Sequence, residues 1–155
     1  MSDRRIGLIS DTHGLLRLEV LRALQGVAAI VHAGDIGDPA ILTTLRTLAP
    51  VTAVRGNVDR ERWAQGLPLT AVLALDAVRI YVLHTLRDLA IVPEAAGFRV
   101  VVSGHTHRPA RAERNGVLFV NPGSAGPRRF SAPVSLALLH LRDATVEVKF
   151  VTLGG

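Results

Sequence analysis

The chain has no cysteine among its 155 residues, which excludes disulfides and every thiolate site for zinc or an iron–sulfur cluster. Any metal must be held by nitrogen and oxygen. Aromatic residues are scarce. Four Phe, one Trp and one Tyr leave no basic patch interleaved with rings, so specific nucleic-acid binding by stacking is not expected. No apolar run approaches the roughly 18 residues of a membrane span. The opening Met-Ser-Asp-Arg-Arg is followed by no apolar stretch long enough for a secretory signal. The expectation is a soluble cytoplasmic protein without membrane contact. Lysine is nearly missing too, since only Lys149 is a lysine among the 18 basic residues, and the net charge is +5. An arginine-borne positive charge suits a phosphate partner, because the guanidinium is a planar fork. A codon bias towards Leu, Ala, Val and Arg accounts for the same composition.

A chain of this length fits one domain, residues 1–155, and can bury roughly 70% of its unfolded surface without staples. What is present repeats a pattern. The apolar run starting at Ile6 stops at Asp11-Thr12-His13. Val27–Val31 leads to Gly34-Asp35, Val51–Val54 to Gly56-Asn57, Ile80–Leu83 to His84, and Val100–Val102 to Gly104-His105-Thr106-His107. Each time a strand-like segment ends in a residue able to bind a metal. Two of the five carry an i,i+2 pair, which in extended backbone points both side chains the same way. Open α/β sheets gather their sites at the carboxyl ends of strands, so these residues can converge.

The first half reads β-α-β-α-β. Leu18, Leu21 and Leu24 make the stripe of a helix over Leu15–Gln25 ended by Gly26. Asp38 and Pro39 are an N-cap and first-turn proline for a second helix with Ile41, Leu42, Leu45 and Leu48 on one face, stopped by Pro50. Such alternation implies parallel strands. The second half is hairpin-like: Leu69–Leu75 and Val78–Leu83 around Asp76-Ala77, Arg111–Arg114 and Val117–Val120 around Asn115-Gly116, and Val134–Leu141 and Thr145–Val151 around Arg142-Asp143-Ala144. Leu86–Gly97 is expected to be helical, kinked or restarted at Pro93. Two mixed sheets with helices outside are the expected α/β architecture.

Asp11, His13, Asp35, Asn57, His84, His105 and His107 offer two carboxylates, one amide oxygen and four imidazoles. That set is too large for one ordinary catalytic ion and suits two divalent ions if one carboxylate bridges them. Two such ions bring four positive charges against two carboxylates, leaving room for a hydroxide and a phosphate. A metal pair lowers the pKa of bound water from 15.7 towards about 7 and clamps the attacking and leaving oxygens of an in-line displacement. Phosphate-ester hydrolysis is the reaction that needs this.

In this order the motifs resemble the five motifs of the calcineurin-like metallophosphoesterases. Val120-Asn121-Pro122-Gly123-Ser124, followed by Pro127-Arg128, is similar to their small stand-alone bacterial and archaeal phosphodiesterase branch. The resemblance implies a four-layer α/β/β/α sandwich and a dinuclear centre, often manganese, with iron, cobalt, zinc or nickel as alternatives. It implies that Asp11, His13, Asp35 and His107 bind one ion, and that Asp35 as bridge, with Asn57, His84 and His105, binds the other. Asp35, Asn57 and His105 are assigned to the catalytic step, an in-line attack by a hydroxide bridging the two ions. The substrate is expected to be a phosphate-ester small molecule or nucleotide, and a homo-oligomer is compatible with family habit. A phosphomonoesterase shares the site, and the retromer-type subunit of the same fold is a protein-interaction scaffold.

Two positions depart from the family pattern. Larger relatives carry a histidine after the asparagine of the third motif, where this chain has Val58, so activated aryl diesters are expected to be cleaved far better than alkyl ones. The fourth motif, commonly His-Gly-His, is here His84-Thr85-Leu86. Asp59 is read as orienting a neighbour, His32 as a hydrogen-bonded near-core residue, and His140 receives no role. Arg55, Arg60 and Arg108 flank the motifs as surface residues able to meet phosphate.

Overall fold

The computed structural model describes residues 3–129, 131–143 and 145–153. Its first sheet grows from the β-α-β-α-β half: β1 (Asp3–Ile9), α1 (Leu18–Ala23), β2 (Ala29–His32), α2 (Pro39–Arg46) and β3 (Val51–Ala53). β1, β2 and β3 pair in parallel, with Ile6 opposite Ala29 and Ile30 opposite Val51. The second sheet holds β4 (Thr70–Leu75), β5 (Val78–Leu83), β6 (Val100–Val102), β7 (Pro109–Arg114) and β8 (Val117–Pro122) in the order β4-β5-β6-β8-β7. The Asn115-Gly116 turn has positive φ at both residues, 52° and 78°, as a two-residue hairpin of the type I′ kind requires.

The last hairpin, β9 (Ser135–Arg142) and β10 (Thr145–Thr152), returns to the first sheet, where β9 runs antiparallel to β1 with Gly7 opposite Leu138. That makes the first sheet mixed, and the second is mixed because antiparallel β4–β5 and β7–β8 flank the parallel pairs β5–β6 and β6–β8. Of the expected turn Arg142-Asp143-Ala144, Arg142 belongs to β9, Asp143 has φ 55° and Ala144 lies outside the described residues.

Alternation decides which side chains face where. Ile6, Leu8, Val31, Ile80, Val82, Val100, Val102, Leu118, Val120 and Leu139 fill the space between the sheets. Ile9, Ile30, Leu136 and Leu138 point the other way, onto Val20 and Leu24 of the α1 region and Ile41, Leu42 and Leu45 of α2. Asp38 caps α2, its Oδ1 accepting from the Ala40 N–H at 2.9 Å, and Pro39 opens the helix. α2 ends at Arg46, before Pro50 is reached.

Two helical expectations are corrected. α1 has six residues rather than eleven, and Leu18 is 55% exposed while Val20 and Leu24 are buried. The loop after His13 consumes Leu15–Arg17, and i,i+4 burial replaces the expected spacing of three. Leu86–Gly97 is not a helix. A 3₁₀ turn covers Leu86–Asp88, and one further turn forms around Pro93, with Ala96 N–H donating to Val92 O at 3.1 Å. Pro93 lacks the amide that would carry a helix through it. The outer face of the second sheet is therefore covered thinly, by Leu89 over Tyr81, Leu83, Val101, Val117 and Phe119.

Candidate metal centre

All five strand ends meet at one edge of the sandwich. The loops after β1 and β2 remain paired beyond their strands: Asp11 N–H donates to Gly34 O at 3.0 Å, His13 N–H to Asp35 O at 2.9 Å, and Gly14 N–H to Ile36 O at 2.8 Å. Within the second sheet Gly104 N–H donates to His84 O at 2.9 Å, and the sheet is stitched to the first by His105 N–H to Asp11 Oδ2 at 3.1 Å. Glycine is required at two of these joints. A Cβ on Gly56 would collide with Oδ1 and the backbone N of Asp35, and one on Gly104 would collide with Ser10 Oγ and stand 2.7 Å from Asp11 Oδ2.

The backbone at the site is not the extended one expected from the i,i+2 spacing. Asp11, His13, Asp35, His105 and His107 all lie in the left-handed region, with φ of 56°, 46°, 57°, 75° and 65°. Each such non-glycine residue costs roughly 1–2 kcal/mol, and strain of this kind gathers at functional sites. Thus the side chains converge through successive left-handed turns rather than through a pleat.

Two triads result. The ligand atoms of Asp11, His13 and His107 lie within 4.8 Å of one another, and so do those of Asp35, His84 and His105. Asp35 stands between them, its Oδ2 being 3.1 Å from His84 Nε2 and 3.7 Å from His13 Nε2. Asp11 Oδ1 is 3.4 Å from His107 Nε2 and 3.6 Å from His13 Nε2. Asn57 is exposed and lines a cleft of about 350 Å³ with His84, Arg55 and Leu69. All seven expected residues are therefore at this edge, with His105 and Asn57 on its open side.

The unpartnered atoms point to what belongs here. Among the described residues, the buried side-chain nitrogen and oxygen atoms without a hydrogen-bond partner are Asp11 Oδ1, His13 Nε2, His84 Nε2 and His107 Nδ1. Buried polar groups left unpaired are costly and call for an explanation. Two of these groups have their other end committed: Asp11 Oδ2 accepts from Ser10 Oγ at 2.7 Å, and His84 Nδ1 donates to Ala33 O at 2.7 Å. A neutral His84 then faces the Asp35 carboxylate with a bare lone pair, an arrangement stable only with a cation or a proton between them. The donor set, imidazole nitrogen with carboxylate oxygen, fits divalent transition metals.

Without metal the proton fills that role. Burial lowers the His84 pKa, but its hydrogen bond to Asp35 and the charges of Asp35 and Asp11 outweigh burial, and the net shift is upward. Burial likewise pushes Asp35 up, against the hydrogen bonds from His84 and the Val58 N–H, and the net value falls to about 2. Burial keeps His107 below its ordinary value despite Asp11, leaving a neutral imidazole.

The supporting residues were only partly legible in the sequence. Asp59, expected to orient a neighbour, accepts from the N–H groups of Ile36, Gly37 and Gly56 at 2.9–3.1 Å. Ser124 Oγ donates to Asp11 O at 3.0 Å, while Asn121 Nδ2 donates to Gly104 O at 2.9 Å and Thr106 Oγ1 at 3.0 Å. Arg60 Nε donates to Asn57 O at 3.1 Å.

His32 proves to be a fully buried tie between the first two loops. Gly34 N–H donates to its Nδ1 at 3.1 Å, so Nε2 carries the proton and donates to Thr12 Oγ1 at 3.0 Å, whose hydroxyl donates to Ile36 O at 2.9 Å. Burial dominates and lowers its pKa to about 4. A histidine depressed in the fold and ordinary when unfolded gives its full stability above pH 6.5, and loses it as pH falls towards 4, because only the unfolded chain binds the proton. With 6.5 unfolded and about 4 folded, the loss is roughly 3 kcal/mol over that window. Urea unfolding of wild type and His32→Gln between pH 7.5 and 4.5 is expected to show a steeper acid loss in wild type by this amount. Parallel pH curves would contradict the neutral, buried assignment.

The chain was compared with known proteins. The model of the calcineurin-like phosphoesterase superfamily domain matches residues 5–144. A probable metallophosphoesterase of Methanothermobacter thermautotrophicus is 33% identical over 161 residues, covering 96% of this chain and 92% of that protein. The phosphodiesterase YfcE of Escherichia coli is 30% identical, with 84% of each chain covered. Among solved structures, a predicted phosphoesterase of Streptococcus pneumoniae superposes with a TM-score of 0.79 at 27% identity, covering 98% of this chain and 91% of that one. Vps29 of Entamoeba histolytica, solved in complex with zinc, superposes with a TM-score of 0.71 at 25% identity, covering 96% and 98%.

Proposed function

Since the chain belongs to the calcineurin-like phosphoesterase superfamily, whose members are metal-dependent phosphoric ester hydrolases, we propose that it is a dinuclear phosphodiesterase. Asp11, His13, Asp35 and His107 hold one ion. Asp35, Asn57, His84 and His105 hold the second. Manganese is the first choice, with iron, cobalt, zinc or nickel compatible with the same donors. The observation that carries this reading is the set of buried, unpartnered ligand atoms that meet in the two triads, Asp11 Oδ1, His13 Nε2 and His84 Nε2.

Two divalent ions bound there supply charge for the phosphate and acidify water. The chain's own contributions are positional. Ala33 O fixes the His84 tautomer, so that Nε2 faces inward. Ser10 and the His105 amide hold one oxygen of Asp11 and leave the other inward. The Val58 N–H holds Asp35 Oδ1 at 2.9 Å and leaves Oδ2 between His13 and His84. The Asn57 amide stands at the open side, where it can touch a bound phosphate.

Val58 itself is 47% exposed beside Asn57 and can give no proton to a leaving group. General acid catalysis contributes about 10²–10⁴-fold where it exists. Bis(p-nitrophenyl) phosphate is therefore expected to be cleaved faster than an alkyl diester by at least that factor in the manganese-loaded protein. Val58→His is expected to narrow the gap. Comparable rates on both esters would contradict this assignment, and turnover that survives chelator treatment would contradict the metal reading itself.

The Vps29 likeness raises the scaffold alternative. The scaffold reading gives no role to these buried unpartnered ligand atoms, three of them on residues held in the left-handed region, so the hydrolase is the better supported reading. The phosphomonoesterase alternative shares every residue, and monoester turnover above diester turnover with the same metal would favour it.

A further inference from the structure

The outer face of the second sheet carries a groove that begins at the candidate metal centre. Its volume is about 410 Å³, within the range of small-molecule sites. His105 and Thr106 form its inner end, Leu86 and Phe119 its apolar walls, and Ala110 and Ala112 of edge strand β7 its floor. The register explains the smooth floor: Ala112 pairs with Phe119 and Ala110 with Asn121, so two methyl groups lie beside the ring and the amide. The groove is open because Leu86–Gly97 forms turns instead of the helix that would cover it.

Its charge is one-sided. Arg87, Arg111 and Arg114 line it, and no acidic residue does. The Arg114 guanidinium lies 5.3 Å from the centre of the Phe119 ring, a cation–π pair that leaves a flat, positively charged surface. Arg111 pairs with Val120 and so turns its side chain to the opposite face of β7, which leaves Arg87 and Arg114 as the cations of the groove. A groove of small alanines, one aromatic ring and guanidinium groups suits a planar ring joined to a phosphate. Guanidinium stacks on aromatic planes and forks onto phosphate.

We propose that this groove is the subsite for one ester arm of the substrate, and that the arm is a nucleotide: its base packs against Phe119 and Arg114, and Arg87 meets the phosphate that joins the arm to the metal centre. The proposal rests on the phosphodiesterase reading for the position of the scissile phosphate, beside His105. The groove and its charge stand without it.

The test separates the two. AMP and inorganic phosphate are titrated calorimetrically into manganese-loaded wild type, Ala112→Trp and Arg114→Gln. Inorganic phosphate reports the metal centre alone, and Ala112 and Arg114 are exposed residues outside it. AMP is expected to bind wild type at least about tenfold more tightly than phosphate, in line with stacking of one base. Ala112→Trp, which fills the floor, is expected to erase that excess, and Arg114→Gln, which removes the guanidinium over Phe119, to reduce it severalfold, while phosphate affinity stays unchanged in both.

In parallel, the KM of thymidine 5′-(p-nitrophenyl phosphate) is expected to rise about tenfold in Ala112→Trp, with methyl p-nitrophenyl phosphate unaffected. AMP binding no tighter than phosphate, or an excess that survives Ala112→Trp, overturns the subsite. Absence of hydrolysis of both esters by wild type, with the AMP excess intact, overturns the phosphodiesterase reading and leaves the nucleotide groove standing.

Discussion

Asp35→Asn is expected to fold normally, to bind fewer than two metal ions per chain and to lose about 10³-fold or more in diester hydrolysis, roughly 4 kcal/mol of transition-state stabilisation. Asp35 Oδ1 accepts from the Val58 N–H at 2.9 Å, and an asparagine keeps that bond with its own oxygen. Its other end changes from an acceptor to an amide donor, opposite His84 Nε2 at 3.1 Å and His13 Nε2 at 3.7 Å. The substitution therefore satisfies the lone pair that a metal would otherwise take. It removes the one carboxylate standing between the two triads while preserving shape. Metal analysis of the purified variant, together with kcat/KM on an aryl diester, checks the expectation. Retention of two ions and of activity within tenfold would show that Asp35 is not shared between two metals.

Asp59→Ala is expected to cost about 3–6 kcal/mol of stability and to weaken metal binding, although Asp59 is not among the proposed ligands. Its carboxylate accepts from three backbone amides, those of Ile36, Gly37 and Gly56, at distances of 2.9–3.1 Å. These amides bracket Asp35 on one side and precede Asn57 on the other, so Asp59 clamps the loops after β2 and β3 together. An orphaned buried donor costs about 1–3 kcal/mol; Ile36 and Gly56 present two, while Gly37 reaches solvent, so the loss takes a large share of the 5–15 kcal/mol that holds a domain together. Loss of support behind metal ligands typically costs about 10–100-fold in affinity. Urea unfolding with and without manganese separates the two effects. A loss below about 1 kcal/mol would mean that water replaces the carboxylate and that the clamp is dispensable.

Much of this architecture could be read from residue patterns because the strongest signals are local. Asn115-Gly116 between alternating segments admits one hairpin geometry, and it forms with positive φ at both residues. Asp38-Pro39 starts a helix by a side-chain hydrogen bond and a preset φ, both written in two adjacent residues. The convergence of the seven candidate residues was legible because they follow five apolar runs, and strands deliver their ends to one edge.

What escaped the sequence depends on distant parts of the chain. Nothing in Val134–Leu141 says that it will pair with β1, more than a hundred residues away, rather than extend the second sheet. The fate of Leu86–Gly97 turned on Pro93. The left-handed turns at Asp11, His13, Asp35, His105 and His107 carry no sequence marker, since aspartate and histidine only tolerate that region. They persist because the loops are tied by bonds from remote residues: Ser124 to Asp11, Asn121 to Gly104, Asp59 to Ile36. His32 was recognised as a bonded near-core residue, but its link from Thr12 to Gly34 needed the three-dimensional arrangement.

The central claim is that these seven side chains hold two ions through one shared carboxylate. The most direct measurement is metal stoichiometry of the protein, stripped with chelator, reloaded with manganese and freed of excess ion, alongside the Asp35→Asn variant. Two ions per wild-type chain and at most one in the variant are expected. A single ion per wild-type chain at saturation, or none, would contradict the dinuclear centre.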